Sequence, residues 1–326
     1  MLRPTTPDSR APNLRALSSE FGVGFGMAIA TTVIAALQPV AMRYGAVRVD
    51  PLLFSTVAMG AAALAAAAVA GWRGELRLIF ARRYIARLFM LSMSGSLLTS
   101  VLLAYGLQEI DAVAGVILLE SEPVFSLLLG MAFLGERPSG RQLVATAIVL
   151  AGISSVLGAG RAFSPFTAAA LVFVTPFFWQ VSHVISLGVM PPLKPLCVTT
   201  ARYLYSALVL VVVLLSLHRG ALVDLSNRDS MVAAGVTGAF IYFAGTLTWY
   251  GAISRLSLTW TTAFVIPGVP LLSFAFAIVF LGERPSLREY TGMIVAILGV
   301  AALVTGADAT RASTMEAAEA THRPVG

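Results

Sequence analysis

Cysteine, lysine and charge of either sign are all scarce in this chain. Cys197 is the single cysteine among 326 residues, which excludes an intramolecular disulfide and any cysteine-built metal cluster. The three histidines, His183, His218 and His322, are too far apart to form a helical metal pair. No H-E-x-x-H, G-x-S-x-G or Walker-type phosphate loop occurs. No metal, no cofactor and no catalytic residue is therefore expected, and no ATP hydrolysis by this chain. Charged residues make up only 12%, against roughly a quarter in a soluble domain. The pI near 9.9 could suggest nucleic acid as a partner. The basic residues are instead scattered between apolar runs rather than gathered in a stripe, so no nucleic-acid partner is expected. Lys194 is the only lysine.

What fills the chain is apolar. Hydrophobic residues make up 58% and mean hydropathy is +0.86. They come in blocks of about 20, the length that crosses a hydrocarbon core about 30 Å thick. Ten spans are predicted, at residues 24–46, 51–71, 88–107, 112–134, 141–159, 165–188, 195–217, 231–253, 258–281 and 288–305. Residues 1–20 are polar and carry Pro4, Pro7 and Pro12. They read as a disordered cytoplasmic tail without the apolar core of a signal peptide. Residues 306–326 form a second polar tail. The fold class is an all-α membrane protein, and its partners are the lipid bilayer and a small-molecule substrate. Fifteen of the 22 basic residues fall on the side of the termini, which places both termini in the cytoplasm. Between spans two and three, Trp72 to Arg87 alternates arginine with Leu, Ile, Phe and Tyr, as an interfacial anchoring helix would.

The most informative feature is a repeat. Leu134-Gly135-Glu136-Arg137-Pro138-Ser139 recurs letter for letter as Leu281-Gly282-Glu283-Arg284-Pro285-Ser286, about half the chain later. Pro123 matches Pro270 and Gly152 matches Gly299 around the two copies. The chain then divides into two repeats, residues 24–159 and 165–305, of five spans each. An odd number of spans makes the second repeat enter the membrane in the opposite sense. Ten transmembrane helices thus form two inverted five-helix repeats, with a site expected near the midplane. Ser139 with Gln142, and Ser286 with Glu289, make capping boxes that start the following helix. Pro138 and Pro285 stop the preceding one. Glu136 and Glu283 sit at these turns and are read as serving the fold.

This doubled pattern of proline-bearing helix, L-G-E-R-P-S and glycine-bearing helix resembles the EamA family of the drug/metabolite transporter superfamily. The resemblance covers about residues 25–305. It implies a ten-helix secondary carrier of small organic metabolites, most often outward. It also implies a cavity lined by helices 1, 3, 4, 6, 8 and 9, with helices 5 and 10 mainly structural. The family's Trp-Gly pair in the first helix is replaced here by Leu37-Gln38. Arg43 keeps the basic position, and Trp179-Gln180 is the equivalent pair in the second repeat.

Ionisable residues inside a span are costly and face a cavity or a partner. Glu120 lies about 13 Å along its helix from Asp111, near mid-membrane. Glu120 and Glu122 are about 200° apart around a regular helix, so both face one cavity only where Pro123 distorts the turn. Two readings stand: a proton carrier or counter-ion for a substrate amine, or a buried ion pair with Arg43 or Arg202. Arg202, early in the seventh span, is read as contacting headgroup, loop or substrate. His183, one turn past Trp179, is a proton-coupling residue or a neutral hydrogen-bonding one. Tyr242, Thr246 and Tyr250 share a helical face, and with Gln38, Gln180 and Trp179 complete the predicted site. The expected function is secondary export of amino-acid-like or amphipathic compounds, by proton gradient or exchange, from a bacterial inner membrane. A monomer suffices for this. Importer, lipid-linked-sugar flippase and non-transporting scaffold or sensor are the alternatives.

Overall fold

The computed structural model describes residues 14–134, 138–157, 166–189, 193–253, 255–256 and 258–303. Among these, all regular structure is helical. Ten long helices form it: α1 (Leu14–Ala46), α2 (Pro51–Trp72), α3 (Arg82–Glu109), α4 (Ala112–Phe133), α5 (Gly140–Leu157), α6 (Phe166–Leu187), α7 (Pro195–Leu217), α8 (Arg228–Ile253), α9 (Leu258–Leu281) and α10 (residues 287–303). Eight are long and apolar enough to cross a membrane, and α5 and α10 are shorter apolar helices. In lipid every backbone polar group must be satisfied within the protein, which is why such a sequence resolves into helices alone.

Local chemistry sets the ends. Pro51 and Pro195 occupy first-turn positions of α2 and α7, where no N–H is needed. The Asp50 carboxylate caps α2 by accepting from the N–H groups of Leu52 and Leu53 at 2.9 and 3.0 Å. At the end of α9, Gly282 adopts φ +67°. Its N–H reaches Ile278 O and that of Glu283 reaches Ala277 O, the left-handed stop that favours glycine.

Packing depends on small residues, because apolar burial does not drive helices together inside lipid. Ala58, Ala62, Ala66 and Ala70 form a fully buried edge of α2, which packs on both α7 and α8. A Cβ on Gly152 of α5 would meet the α10 backbone at 2.6 Å, and one on Gly299 of α10 would meet α5 at 2.7 Å. The two shorter helices therefore clasp each other through symmetry-related glycines. α1 packs on α9 and α8, while α6 packs on α4 and α3. These are the pairs a two-fold exchange of the repeats requires.

The opposed sense of the repeats is visible at one contact. The Glu283 carboxylate, just past α9, accepts from Ala112 N and Val113 N at the start of α4, at 2.7 and 2.8 Å. α4 begins where α9 ends, so these two equivalent helices run antiparallel.

Two boundaries differ from the sequence reading. α1 extends back to Leu14, into the segment expected to be a polar tail. In the Trp72–Arg87 segment Trp72 ends α2, Leu76–Ile79 forms a short turn and Arg82–Arg87 opens α3. The start of α3 is amphipathic. Tyr84, Leu88 and Leu91 are buried while Arg83 and Arg87 are exposed, so apolar packing extends the helix beyond the purely apolar run. Gly135, Glu136 and the C-terminal tail lie outside the described residues.

Candidate functional site

Three helices are interrupted where the site lies. α4 breaks at Glu120 and Ser121, between Ala112–Leu119 and Glu122–Leu134. Pro123 has no N–H to give and its ring crowds the preceding turn. α3 widens into a π-helical segment at Met93–Leu98, and α8, its counterpart in the second repeat, does so at Thr237–Ala244. Such segments release backbone carbonyls from the regular ladder and recur at functional sites.

The break separates the two carboxylates of α4. Glu122 Oε1 accepts from Gln180 Nε2 of α6 at 2.7 Å. Ser121 Oγ donates to Phe173 O at 2.9 Å, and Phe125 packs edge-on against Phe173 and Phe177, which pins α4 to α6. Glu120 has no side-chain partner among the described residues. Both glutamates are enclosed by protein yet keep part of their surface accessible, the combination expected of an internal cavity wall. His183 shows the same combination more strongly, exposed but deep within the bundle.

On the other flank of α6, Arg202 of α7 is held by neutral oxygens. Its Nε donates to Ser96 Oγ at 2.6 Å, and its Nη2 donates to Gly95 O at 2.6 Å and Ser182 Oγ at 3.2 Å. His183 and Tyr250 lie within reach of its charge. Sequence reasoning noticed Arg202 but lacked the signal that would have placed it, the π-helical turn that receives it.

The other predicted residues separate. Gln38 and Trp179 are half-buried, and Gln38 has no hydrogen-bond partner among the described residues. Thr246 bonds Tyr203 at 2.8 Å, and Tyr250 is half-buried beside it on α8. Tyr242, like Thr246, meets Tyr203 of α7 but is more deeply covered. It is 7% exposed, stacks on Tyr203 and donates to Met42 Sδ at 3.2 Å. Arg43 also lies away from the glutamates. Its Nη1 donates to the carbonyls of Leu107 and Gln108 at 2.7 Å each, closing the C-terminus of α3, and its Nη2 lies 3.6 Å from Asp111. Neither Arg43 nor Arg202 pairs with Glu120 or Glu122.

At the membrane rims the geometry is that of fastening. Both capping boxes form, with Ser139 N to Gln142 at 2.8 Å and Ser286 N to Glu289 at 2.5 Å. Burial raises the Glu283 carboxyl above its ordinary value, against the opposing pull of its two backbone N–H bonds. On the termini side, Lys194 bonds the covered Glu75 at 2.8 Å. That hydrogen bond holds Glu75 below the usual carboxylate range and Lys194 above its own. On the opposite side Asp50, which the sequence reading passed over, bonds His218 at 2.8 Å, and its backbone N–H donates to Asp224. Among the described residues no cluster of His, Cys, Asp and Glu could hold a metal ion.

Comparison with known proteins agrees with this architecture. The model of the EamA-like transporter family matches residues 22–158 and again 166–305. A probable terminal-alkyne amino-acid exporter of Streptantibioticus cattleyicolor is 29% identical over 203 residues, covering 61% of this chain and 66%, just under two thirds, of its own length. An uncharacterized transporter of Archaeoglobus fulgidus is 23% identical over 216 residues, 66% of this chain and 76% of its own. One crystal structure superposes with TM-score 0.61 at 17% identity, over 90% of this chain and 98% of its own, a likeness of fold alone.

Proposed function

We propose that this chain, which belongs to the EamA-like transporter family, exports small amine-bearing metabolites, amino acids and their amphipathic relatives, from the bacterial cytoplasm. It is an integral multi-pass membrane transporter and not an enzyme. Substrate, direction and coupling are the inference.

One observation carries the reading: Glu120 and Glu122, each with part of its surface accessible at the break in α4, have no cation paired to either among the described residues, as two groups lining a mid-membrane cavity would. A carboxylate in such a place needs a proton or a cation to neutralise it. A substrate ammonium and a proton can therefore compete for the same group. Deprotonated toward the cytoplasm, the carboxylate takes the ammonium; protonated from outside, it releases it. That competition exchanges one proton for one amine without further machinery. The exporter of Streptantibioticus cattleyicolor supports both the outward direction and an amino-acid cargo. The half-buried Trp179 and Tyr250 supply apolar surface for a side chain.

The test is flux. Purified protein is reconstituted in liposomes, and uptake of L-propargylglycine, a terminal-alkyne amino acid, is measured with the lumen acidified. Protein oriented with its cytoplasmic face outward should accumulate the compound, and collapse of the pH gradient should abolish accumulation. No gradient-dependent movement of any amine or amino acid would refute the reading.

A further inference from the structure

We infer that Arg202 is the anion-binding residue of the cavity and makes a carboxylate on the transported molecule a requirement. This inference rests on the amine-exporter reading of the same cavity and adds the second pole of the substrate.

The argument begins with cost. A guanidinium inside a membrane bundle is normally paired with a carboxylate or faces water. Arg202 has no carboxylate within ion-pair distance among the described residues. Its Nε and Nη2 are fixed by three neutral oxygens, whereas Nη1 has no protein partner among those residues. Nor is Nη1 among the buried atoms left without a partner, so it opens onto accessible space. A fork with one arm anchored and the other free is suited to receive a carboxylate oxygen.

The surrounding residues keep it in that position. A Cβ on Gly95 would lie 2.2 Å from Ser182 Oγ and 2.5 Å from Arg202 Nη2, so only glycine lets the guanidinium reach this backbone. The π-helical turn leaves the Gly95 carbonyl free to accept from both Arg202 and Thr99. The equivalent junction in the other repeat is made without charge. There Gly238, in the π-helical turn of α8, packs directly on the Ala58 carbonyl of α2. The two helices can therefore join without an arginine, and packing alone does not account for the charge.

Placement completes the case. Gln180, which holds Glu122, and Ser182, which holds Arg202, are two residues apart on α6, and His183 lies angularly between them. The carboxylate pole and the guanidinium pole thus lie at opposite edges of the α6 face that carries His183, about 160° apart around the helix. A substrate carrying both an ammonium and a carboxylate would satisfy charges that the protein leaves unpaired.

The experiment measures competition by four compounds for uptake of labelled L-propargylglycine: the amino acid, its carboxamide, but-3-ynylamine and pent-4-ynoic acid. Wild-type protein should prefer the amino acid to its carboxamide and to the amine by about 100-fold or more, as sites built to bond a polar group reject analogues that lack it. In Arg202→Gln this preference should fall to within about threefold, and Arg202→Lys should keep an intermediate preference. Should Arg202→Gln fail to fold, Ser182→Ala removes one brace and leaves the charge. It should weaken the amino acid and leave the amine unchanged. A wild-type preference that survives in Arg202→Gln, or in Ser182→Ala at full strength, overturns the inference and leaves the amine reading standing. Wild-type transport of the amine as readily as the amino acid also overturns it. Arginine-dependent transport of pent-4-ynoic acid, with no amine required, would support Arg202 and overturn the amine reading.

Discussion

At the scale of single residues, the protein leaves opposite charges apart where pairing them would be the economical solution. Glu122 is satisfied by a neutral amide and Arg202 by hydroxyl and carbonyl oxygens, while Arg43 is committed to the end of α3. Charges that serve structure are closed at the rim. Glu75 shows the contrast. It is 7% exposed and bonded to Lys194, which lowers its pKa. Its ionisation therefore contributes stability that is present above the unfolded-state pKa and lost as pH falls through the lower folded value. Lys194→Met should reduce thermal stability at neutral pH, with the deficit shrinking as acid protonates Glu75. A deficit equal at neutral and acidic pH would show that Lys194 acts by packing alone. The sequence disclosed which residues were ionisable within spans. It could not disclose partners, because Gln180 and Arg202 reach their sites through a break in α4 and a π-helical turn in α3 that no residue spacing reveals.

At the scale of elements, most of the fold was legible. Nearly every predicted span matches a helix to within a few residues, since an apolar block of membrane length has few alternatives to a helix. The two capping boxes were also legible, because serine and its partner three residues on form a local pattern. Replacing Ser139 or Ser286 by alanine should cost about 0.5–2 kcal/mol of stability, read as a lower melting temperature of the detergent-solubilised protein. Unchanged melting of both would remove the caps from the account. The α5–α10 clasp predicts a larger effect. Gly152→Val must displace the α10 backbone and should lower the yield of folded protein, whereas Gly60→Val, with nothing within 4 Å, should not. What spacing could not show was how far each member of a face is covered: Tyr242 is closed off by Tyr203 and Met42, whereas Tyr250 keeps part of its surface accessible.

At the scale of the whole molecule, two inverted copies meet so that the motif of one fastens the other. Glu283, from the second repeat, caps α4 of the first. Cysteines placed at Ser139 and Ser286 in a Cys197→Ser background should accordingly label from opposite faces of the membrane. Labelling from one face would contradict the inverted architecture. The duplication made this arrangement readable from sequence, whereas the division of labour between the neighbouring glutamates was not. Glu122 is tied to α6, whereas Glu120 has no side-chain partner among the described residues, so substitution should separate coupling from scaffold. The most direct measurement compares gradient-driven flux with energy-independent exchange of L-propargylglycine in liposomes containing Glu120→Gln or Glu122→Gln. Exchange requires binding and rocking alone, while net flux also requires proton release. Glu120→Gln should abolish gradient-driven flux yet leave exchange partly intact, and Glu122→Gln should chiefly lower stability. Normal gradient-driven flux in both variants would contradict the account.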